Sequence, residues 1–398
     1  MRKIKGFSLD RFIVYVLLGA IVVYFMQGSL YANGSTISRM SFLIWLFIDL
    51  VYTIKYMYNY RLTSLEKIIV LFWSMNSIYW LFSEKVLISS WGEPLSTLNN
   101  FKSICWTFLT YFPIRYFTKK GVLDDKGVSY FALLMLVVFI MSFFSFRSRL
   151  LYEYNREEIT NNMGYRFVFL LPLLGFFRKT KFSLFFIGLA LYFIIMSSKR
   201  GAIVCGALAY ILYFIYVLQN VPRTKRIKYF VLIIMVLFFT SYYFYDVLLS
   251  NEYLMQRLAN MESGDDVSGE SRLIQTNAIL NYVLGGSVFN LLFGYGFDKS
   301  VMMAGNYAHN DWAELLANLG IVGCIMYLIF FIRLIKLYTN NKKFYLPMQK
   351  YQYLSVVGIW LLVTMFSMGY ISNNSFLFTI VIAHITSEIE KKKSLCQK

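Results

Sequence analysis

Apolar runs separated by short polar segments recur along almost the whole chain. A membrane-crossing helix needs roughly 20 mostly apolar residues. Twelve stretches fit, centred near Val22, Leu46, Phe72, Phe108, Val137, Leu170, Leu189, Ala209, Val236, Ile325, Leu361 and Ile380. The sixth has the shortest apolar core and contains Pro172; Pro113 falls in the fourth. Prolines are tolerated in membrane helices because neighbouring groups satisfy the freed carbonyls. The pattern lapses over residues 250–307, between the ninth and tenth stretches. Connections this long are functional or unstructured. Within it, Leu273–Phe293 carries apolar residues at helical spacing (Leu273, Ile274, Ile279, Leu280, Val283, Leu284), which predicts an amphipathic helix near the outer interface. The preceding Met261–Ser271, acidic and rich in Gly and Ser, reads as a flexible loop. No repeat relates the two halves, which weighs against a two-half transporter. The expected fold class is all-α membrane: one integral membrane domain over residues 1–398, a polytopic helical bundle of twelve transmembrane helices with a long external loop.

Composition agrees with the pattern. Of 398 residues, 58% are hydrophobic and 15% charged, against roughly 25% charged in soluble domains. The net charge of +18 changes the picture only through its placement. With the N-terminus inside and one crossing per stretch, the predicted cytoplasmic loops carry most of the 39 basic residues, including Lys55, Arg115, Lys119, Arg178, Arg226, Lys343 and Lys392. That distribution orients a chain in a bilayer, whereas a nucleic-acid site would gather its cations on one soluble face. No nucleic-acid partner is expected, and both termini are placed in the cytoplasm. Arg2, Lys3, Lys5 and Arg11 before the first run resemble a signal peptide, but no small-x-small cleavage site follows, so the first helix is expected to remain. Cys105, Cys205, Cys324 and Cys396 form no framework and read as free residues.

Ionisable residues at the membrane edge are functional candidates. Lys199-Arg200, in Ser197-Ser198-Lys199-Arg200-Gly201, fills the predicted external turn between the seventh and eighth spans, against the positive-inside bias. A guanidinium can hold a phosphate at two points; the alternative is snorkelling to headgroups. Arg272 stands at the start of the amphipathic segment, as an anion ligand or as the partner of Glu270 or Asp266. His309 precedes Asn310-Asp311-Trp312-Ala313-Glu314, in which Asp311 and Glu314 have the spacing of a helix capping box. At that boundary a histidine can act as a general base or fill a structural role. His384 is read as a packing or hydrogen-bonding residue. Gly294 and Gly296 suit a backbone turn or a close ligand approach. Ala313, Ala317, Gly320 and Cys324 form a small-residue stripe for helix packing. Tyr295, Tyr307 and Trp312 can stack on sugars or anchor in the interface. Asp265, Asp266 and Glu270 suit a weak divalent-ion site or a solvated loop. No metal cage, phosphate loop or cofactor motif is present in the sequence.

Together these residues resemble the O-antigen ligase and polymerase superfamily of bacterial envelope glycosyltransferases. The resemblance rests on Ser198-Lys199-Arg200-Gly201, Ser271-Arg272, Phe293-Gly294-Tyr295-Gly296, and His309-Asn310 followed, after nine intervening residues, by Gly320-Ile321-Val322-Gly323. It covers about residues 194–335. The arginine–glycine spacing of some polymerases does not follow Arg200, Arg257 or Arg272. The resemblance implies an enzyme of the cytoplasmic (inner) membrane with its site facing outward and sugars carried on undecaprenyl diphosphate. Arg200 and Arg272 would hold the diphosphate and His309 would lie at the acceptor, with Lys199, Asn310, Tyr307, Gly294 and Gly296 binding substrate. A lipid-linked glycan donor and a glycan acceptor are the implied partners, with a chain-length regulator and a flippase of the same pathway. Polymerase is the first expectation, ligase the second, and a flippase or transporter the third, because apart from Asp49 the charges sit at span ends.

Overall fold

The computed structural model describes residues 9–30, 35–89, 92, 94–154, 162–177, 180–197, 199–220, 222–227, 230–231, 234–235, 242 and 267–396. The helices in chain order are α1 (Leu9–Leu30), α2 (Thr36–Asn59), α3 (Ser64–Phe82), α4 (Thr97–Leu109), α5 (Tyr111–Lys119), α6 (Asp125–Tyr154), α7 (Gly164–Leu174), α8 (Thr180–Met196) and α9 (Arg200–Asn220). They continue with α10 (Val267–Leu284), α11 (Val288–Phe293), α12 (Ser300–Ala304), α13 (Asp311–Asn341), α14 (Pro347–Phe366) and α15 (Phe376–Cys396). The predicted centre at Val236 lies outside the described residues, and the other centres all fall on helices. Among the described residues, five helices are individually long and apolar enough to cross a membrane: Leu9–Gln27, Thr36–Asn59, Asp125–Arg149, Arg200–Asn220 and Asp311–Phe344. Gly164–Leu174 and Phe182–Met196 are shorter apolar helices, consistent with the short core expected around Pro172.

Local chemistry sets the boundaries. Thr63 and Glu66 cap α3 reciprocally: the Thr63 N–H donates to Glu66 Oε2 at 2.7 Å and the Glu66 N–H to Thr63 Oγ1. The predicted fourth span is two helices, α4 and α5, meeting at Thr110. There the Thr110 hydroxyl donates to Asp49 at 2.6 Å and accepts from the Trp45 indole at 2.9 Å. Asp49, the one charge expected within a span, is fully buried at this junction. An antiparallel hairpin, Val86–Ile88 with Pro94–Ser96, interrupts the all-α expectation. The amphipathic segment is also revised. Its helix begins at Val267, inside the stretch read as a loop, and ends at Leu284; Gly285-Gly286 separates it from α11, so Arg272 lies within a helix.

One apolar core runs through the bundle, and a smaller cluster joins Ile279 and Val283 of α10 to Ala308, Ala313 and Ala317. The alanines of the small-residue stripe thus admit a neighbouring helix, as expected. Two buried polar networks lie at the end of the bundle where α3 and α6 begin. Arg115, 1% exposed, meets Glu66 at 3.0 Å and Glu390 at 2.6 Å. His384 bridges Thr118 and Asp125, the hydrogen-bonding role read for it.

Candidate active site

The opposite end of the bundle holds the site, and its scaffold is a crossing of two backbones. Helix α13 is broken at Gly320, whose φ of 67° and ψ of −165° leave carbonyls one turn back without helical partners. The segment after α11 fills them: Tyr295 N–H donates to Ala317 O at 2.9 Å and Gly296 N–H to Asn318 O at 3.1 Å. A Cβ on Gly294 would collide with the Asn318 carbonyl, and one on Gly320 with Leu292 and Gly294 backbone. The two glycine motifs are therefore two sides of one contact. Gly294 and Gly296 serve backbone approach, here to protein. The crossing is tied to α3, where Tyr79 donates to Phe293 O at 2.5 Å, Phe297 N–H donates to Ser83 at 2.8 Å, and Lys299 pairs with Glu84 at 3.1 Å.

The start of α13 departs from the expected capping box. Asn310 is the cap, its Oδ1 accepting from Trp312 and Ala313. Asp311 and Glu314 are fully buried and hold other segments. Asp311 accepts from the Tyr327 hydroxyl at 2.8 Å and from the N–H groups of Gly369 and Tyr370 at 2.7 and 3.3 Å, fastening the loop before α15. Glu314 takes the Ser300 hydroxyl and the N–H groups of Ala308, at 2.6 Å, and His309. His309 has a φ of 53°, rare for a side-chain-bearing residue. Two backbone bonds to one buried carboxylate hold it there.

The structure brings Lys199, Arg272 and His309 together from three separate elements. Gly164 seats the start of α7 against the neighbouring ends of α8 and α9: a side chain there would overlap Ser197 and crowd Ala202. Tyr165 then lies within range of the Arg272 charge. Burial, and after it the positive charges of Arg272 and Lys199, together lower the His309 pKa to about 4. The imidazole is consequently neutral at physiological pH and able to accept a proton, beside two cations. Arg200 opens α9 directly after Lys199 and is partly exposed. Ser198, Asp265 and Asp266 lie outside the described residues, as does the side chain of Glu270.

Tyr307 turns to a neighbouring polar group. Asn100 on α4 donates to the Tyr307 hydroxyl at 2.8 Å and to Asp298 at 2.9 Å. Burial, reinforced by the Glu314 charge, pushes the Asp298 carboxyl up to about 8. Sequence reading missed Gly164, Tyr165, Asn100 and Asp298, and read Glu314 as a capping residue instead of the carboxylate that holds the His309 backbone. The only local signal was Asp298 following the Gly-Tyr-Gly-Phe run; the others depend on distant partners. Trp312 donates to Thr364 at 3.1 Å, an internal role.

No curated protein matches the chain. Residues 185–328, from within α8 to the middle of the broken α13, match the family model described as O-antigen ligase, and the matched segment bears Lys199, Arg272, His309 and the glycine crossing.

Proposed function

We propose that the protein is a polysaccharide polymerase of the cytoplasmic membrane, with twelve spans and both termini inside. It joins oligosaccharide repeat units carried on undecaprenyl diphosphate at the outer face. The convergence of a neutral His309 with Lys199 and Arg272 carries this reading. Glycosyl transfer from a lipid diphosphate breaks the bond between the anomeric carbon and the phosphate oxygen, and the electron pair leaves with the diphosphate. Lys199 and Arg272, with Arg200 beside them, neutralise the charge that develops on that leaving group. The acceptor hydroxyl oxygen forms the new bond to the anomeric carbon from the opposite face, inverting it, while His309 takes the hydroxyl proton. Protein cations supply the positive charge in this scheme, so it calls on no metal.

The test is reconstitution of the purified chain in liposomes with undecaprenyl-diphosphate-linked repeat units as the sole substrate. A ladder of products is expected on a gel. His309→Ala and Arg272→Ala should each abolish it while leaving membrane insertion intact; Arg200→Lys should reduce it. A competent substrate that gives no ladder alone, but is transferred when a lipid A–core acceptor is added, would replace polymerase with ligase.

A further inference from the structure

Next to His309 in the chain, one hydrogen-bond donor and one acceptor stand side by side without protein partners. Asn100 belongs to α4, in the part of the chain before the family match. Both hydrogens of its amide are taken: Nδ2 donates to Asp298 Oδ2 at 2.9 Å and to the Tyr307 hydroxyl at 2.8 Å. Asp298, 1% exposed, fixes this orientation, because the reversed amide would set its oxygen against the carboxylate. Asp298 Oδ1 has no partner among the described residues, so a proton on that oxygen leaves Oδ2 an acceptor in either charge state.

Two groups then remain. No donor among the described residues reaches Asn100 Oδ1. The Tyr307 hydroxyl, having accepted from Asn100, still carries its own proton, and no described residue accepts it. Asn100, Tyr307 and His309 are all partly exposed. Ala308, between the last two, packs into the small cluster with Ile279 and Val283, so Tyr307 and His309 turn to the open side of the segment. Phe101, beside Asn100, has its ring packed on Trp80 at 4.1 Å and against Phe297. The polar pair, and not a free ring face, is what α4 offers there.

A donor beside an acceptor matches the hydroxyls of a sugar ring, each of which gives one proton and takes another. It does not match a phosphate, which only accepts. The charges that reach Tyr307 are the carboxylates of Asp298 and Glu314, and these also disfavour an anion. We propose that Asn100 and Tyr307 form the subsite for the acceptor sugar, holding ring hydroxyls next to the one that His309 deprotonates. They set which sugar is extended, and Asp298 is a positioning residue that acts through Asn100. The inference deepens the glycosyl-transfer reading and rests on it: Lys199 and Arg272 face the charged leaving group, and a neutral pair faces the acceptor ring.

The test is a competition in the liposome assay between the lipid-linked repeat unit and monodeoxy analogues, each lacking one hydroxyl of the sugar that accepts the new bond. For at least one analogue, wild type should show kcat/KM lower than for the parent by roughly tenfold or more, because a member of the pair is left without a partner. Tyr307→Phe keeps the ring and its packing. It should lower kcat/KM for the parent, yet lose less than about twofold more on that same analogue, the two deletions removing one bond. Asn100→Ala should erase discrimination at the same hydroxyl or its neighbour. A role in folding alone would slow every acceptor equally and keep the wild-type order of preference in both variants. That result, or a wild type indifferent to every hydroxyl, overturns the subsite and leaves the catalytic reading standing. No product from wild type, with the parent unit alone or with a lipid A–core acceptor, overturns the catalytic reading and the subsite with it.

Discussion

His309 is set by its neighbours in a direction that can be measured. Burial and the nearby cations disfavour the imidazolium, so the free protein keeps a neutral ring until pH falls to about 4. A bound diphosphate would offset the Arg272 and Lys199 charges and raise that value. The acid limb of kcat/KM, which reports the free enzyme, should therefore lie near 4, and that of kcat should lie higher. Arg272→Gln should move the kcat/KM limb upward, toward the ordinary value of about 6.5. Liposome assays across a pH series would check this; an unmoved limb would detach Arg272 from His309. Glu314 acts through position, because its carboxylate holds the backbone of Ala308 and His309. Losing such a buried acceptor costs roughly 1–3 kcal/mol. Glu314→Ala should lower kcat more than it raises KM, and Glu314→Gln, which keeps an acceptor oxygen, should recover part of the loss.

Asp298 provides a stability test of opposite sign. Its folded pKa of about 8 lies above the ordinary carboxylate value, so the unfolded chain gives up this proton first. Its contribution is fully present below about pH 4 and is lost as pH rises through 8. Asp298→Asn keeps the shape and tolerates the residue's φ of 59°. The variant should lose less stability between pH 4 and 8 than wild type in thermal melts, and parallel curves would show that Asp298 does not titrate there.

At the scale of elements, the broken α13 is the feature on which the site depends. Its kink at Gly320 and the turn at Gly294 are mutually required, since each glycine leaves room for the other's backbone. Alanine at either position meets both a left-handed φ, costing roughly 1–3 kcal/mol, and overlap with main chain. Gly320→Ala and Gly294→Ala should each lower the melting temperature. Their double variant should lose less than the sum, because one crossing is lost only once. Additive losses in detergent melts would mean that the glycines act separately. Helix α4–α5 is interrupted in a different way: Thr110 keeps helical dihedrals, and Pro113 has no N–H to give the Leu109 carbonyl.

Across the whole molecule, the end far from the site is locked by charge. Arg115 of α5 joins Glu66 of α3 to Glu390 of α15, with Tyr56, Tyr111 and Thr386 completing its bonds. Removing one member of such a buried set costs roughly 3–5 kcal/mol because a charge is left unpaired. Arg115→Met should destabilise by about that much, and the double variant Arg115→Met with Glu66→Gln should recover a large part. Equal melts for the single and double variants would show that Glu66 does not depend on Arg115. The networks of Lys55 with Asp10, Arg115 with Glu66, and His384 with Asp125 all join segments that the charge pattern assigned to one side.

The sequence alone determined the membrane class, because apolar runs of bilayer length have no other use at this density. It also determined the mostly helical character, the short apolar core at Pro172, and the residue types worth testing, since charge at a membrane edge is costly enough to be conspicuous. Partners distant in sequence were decided only by tertiary structure. Local spacing suggested a capping box at Asp311 and Glu314, but Asn310 took the cap once those carboxylates were drawn to Tyr327, Gly369, Ser300 and Ala308. The glycine motifs could be read as turns, yet that they face each other depends on where α11 meets α13. Asn100 lay in the polar flank of an apolar stretch, with nothing to mark it. Its place between Tyr307 and Asp298 follows from how α4 meets the segment before α13. Period and composition are local properties that the chain states residue by residue; which buried charges meet is fixed only when helices far apart in sequence exclude the lipid between them.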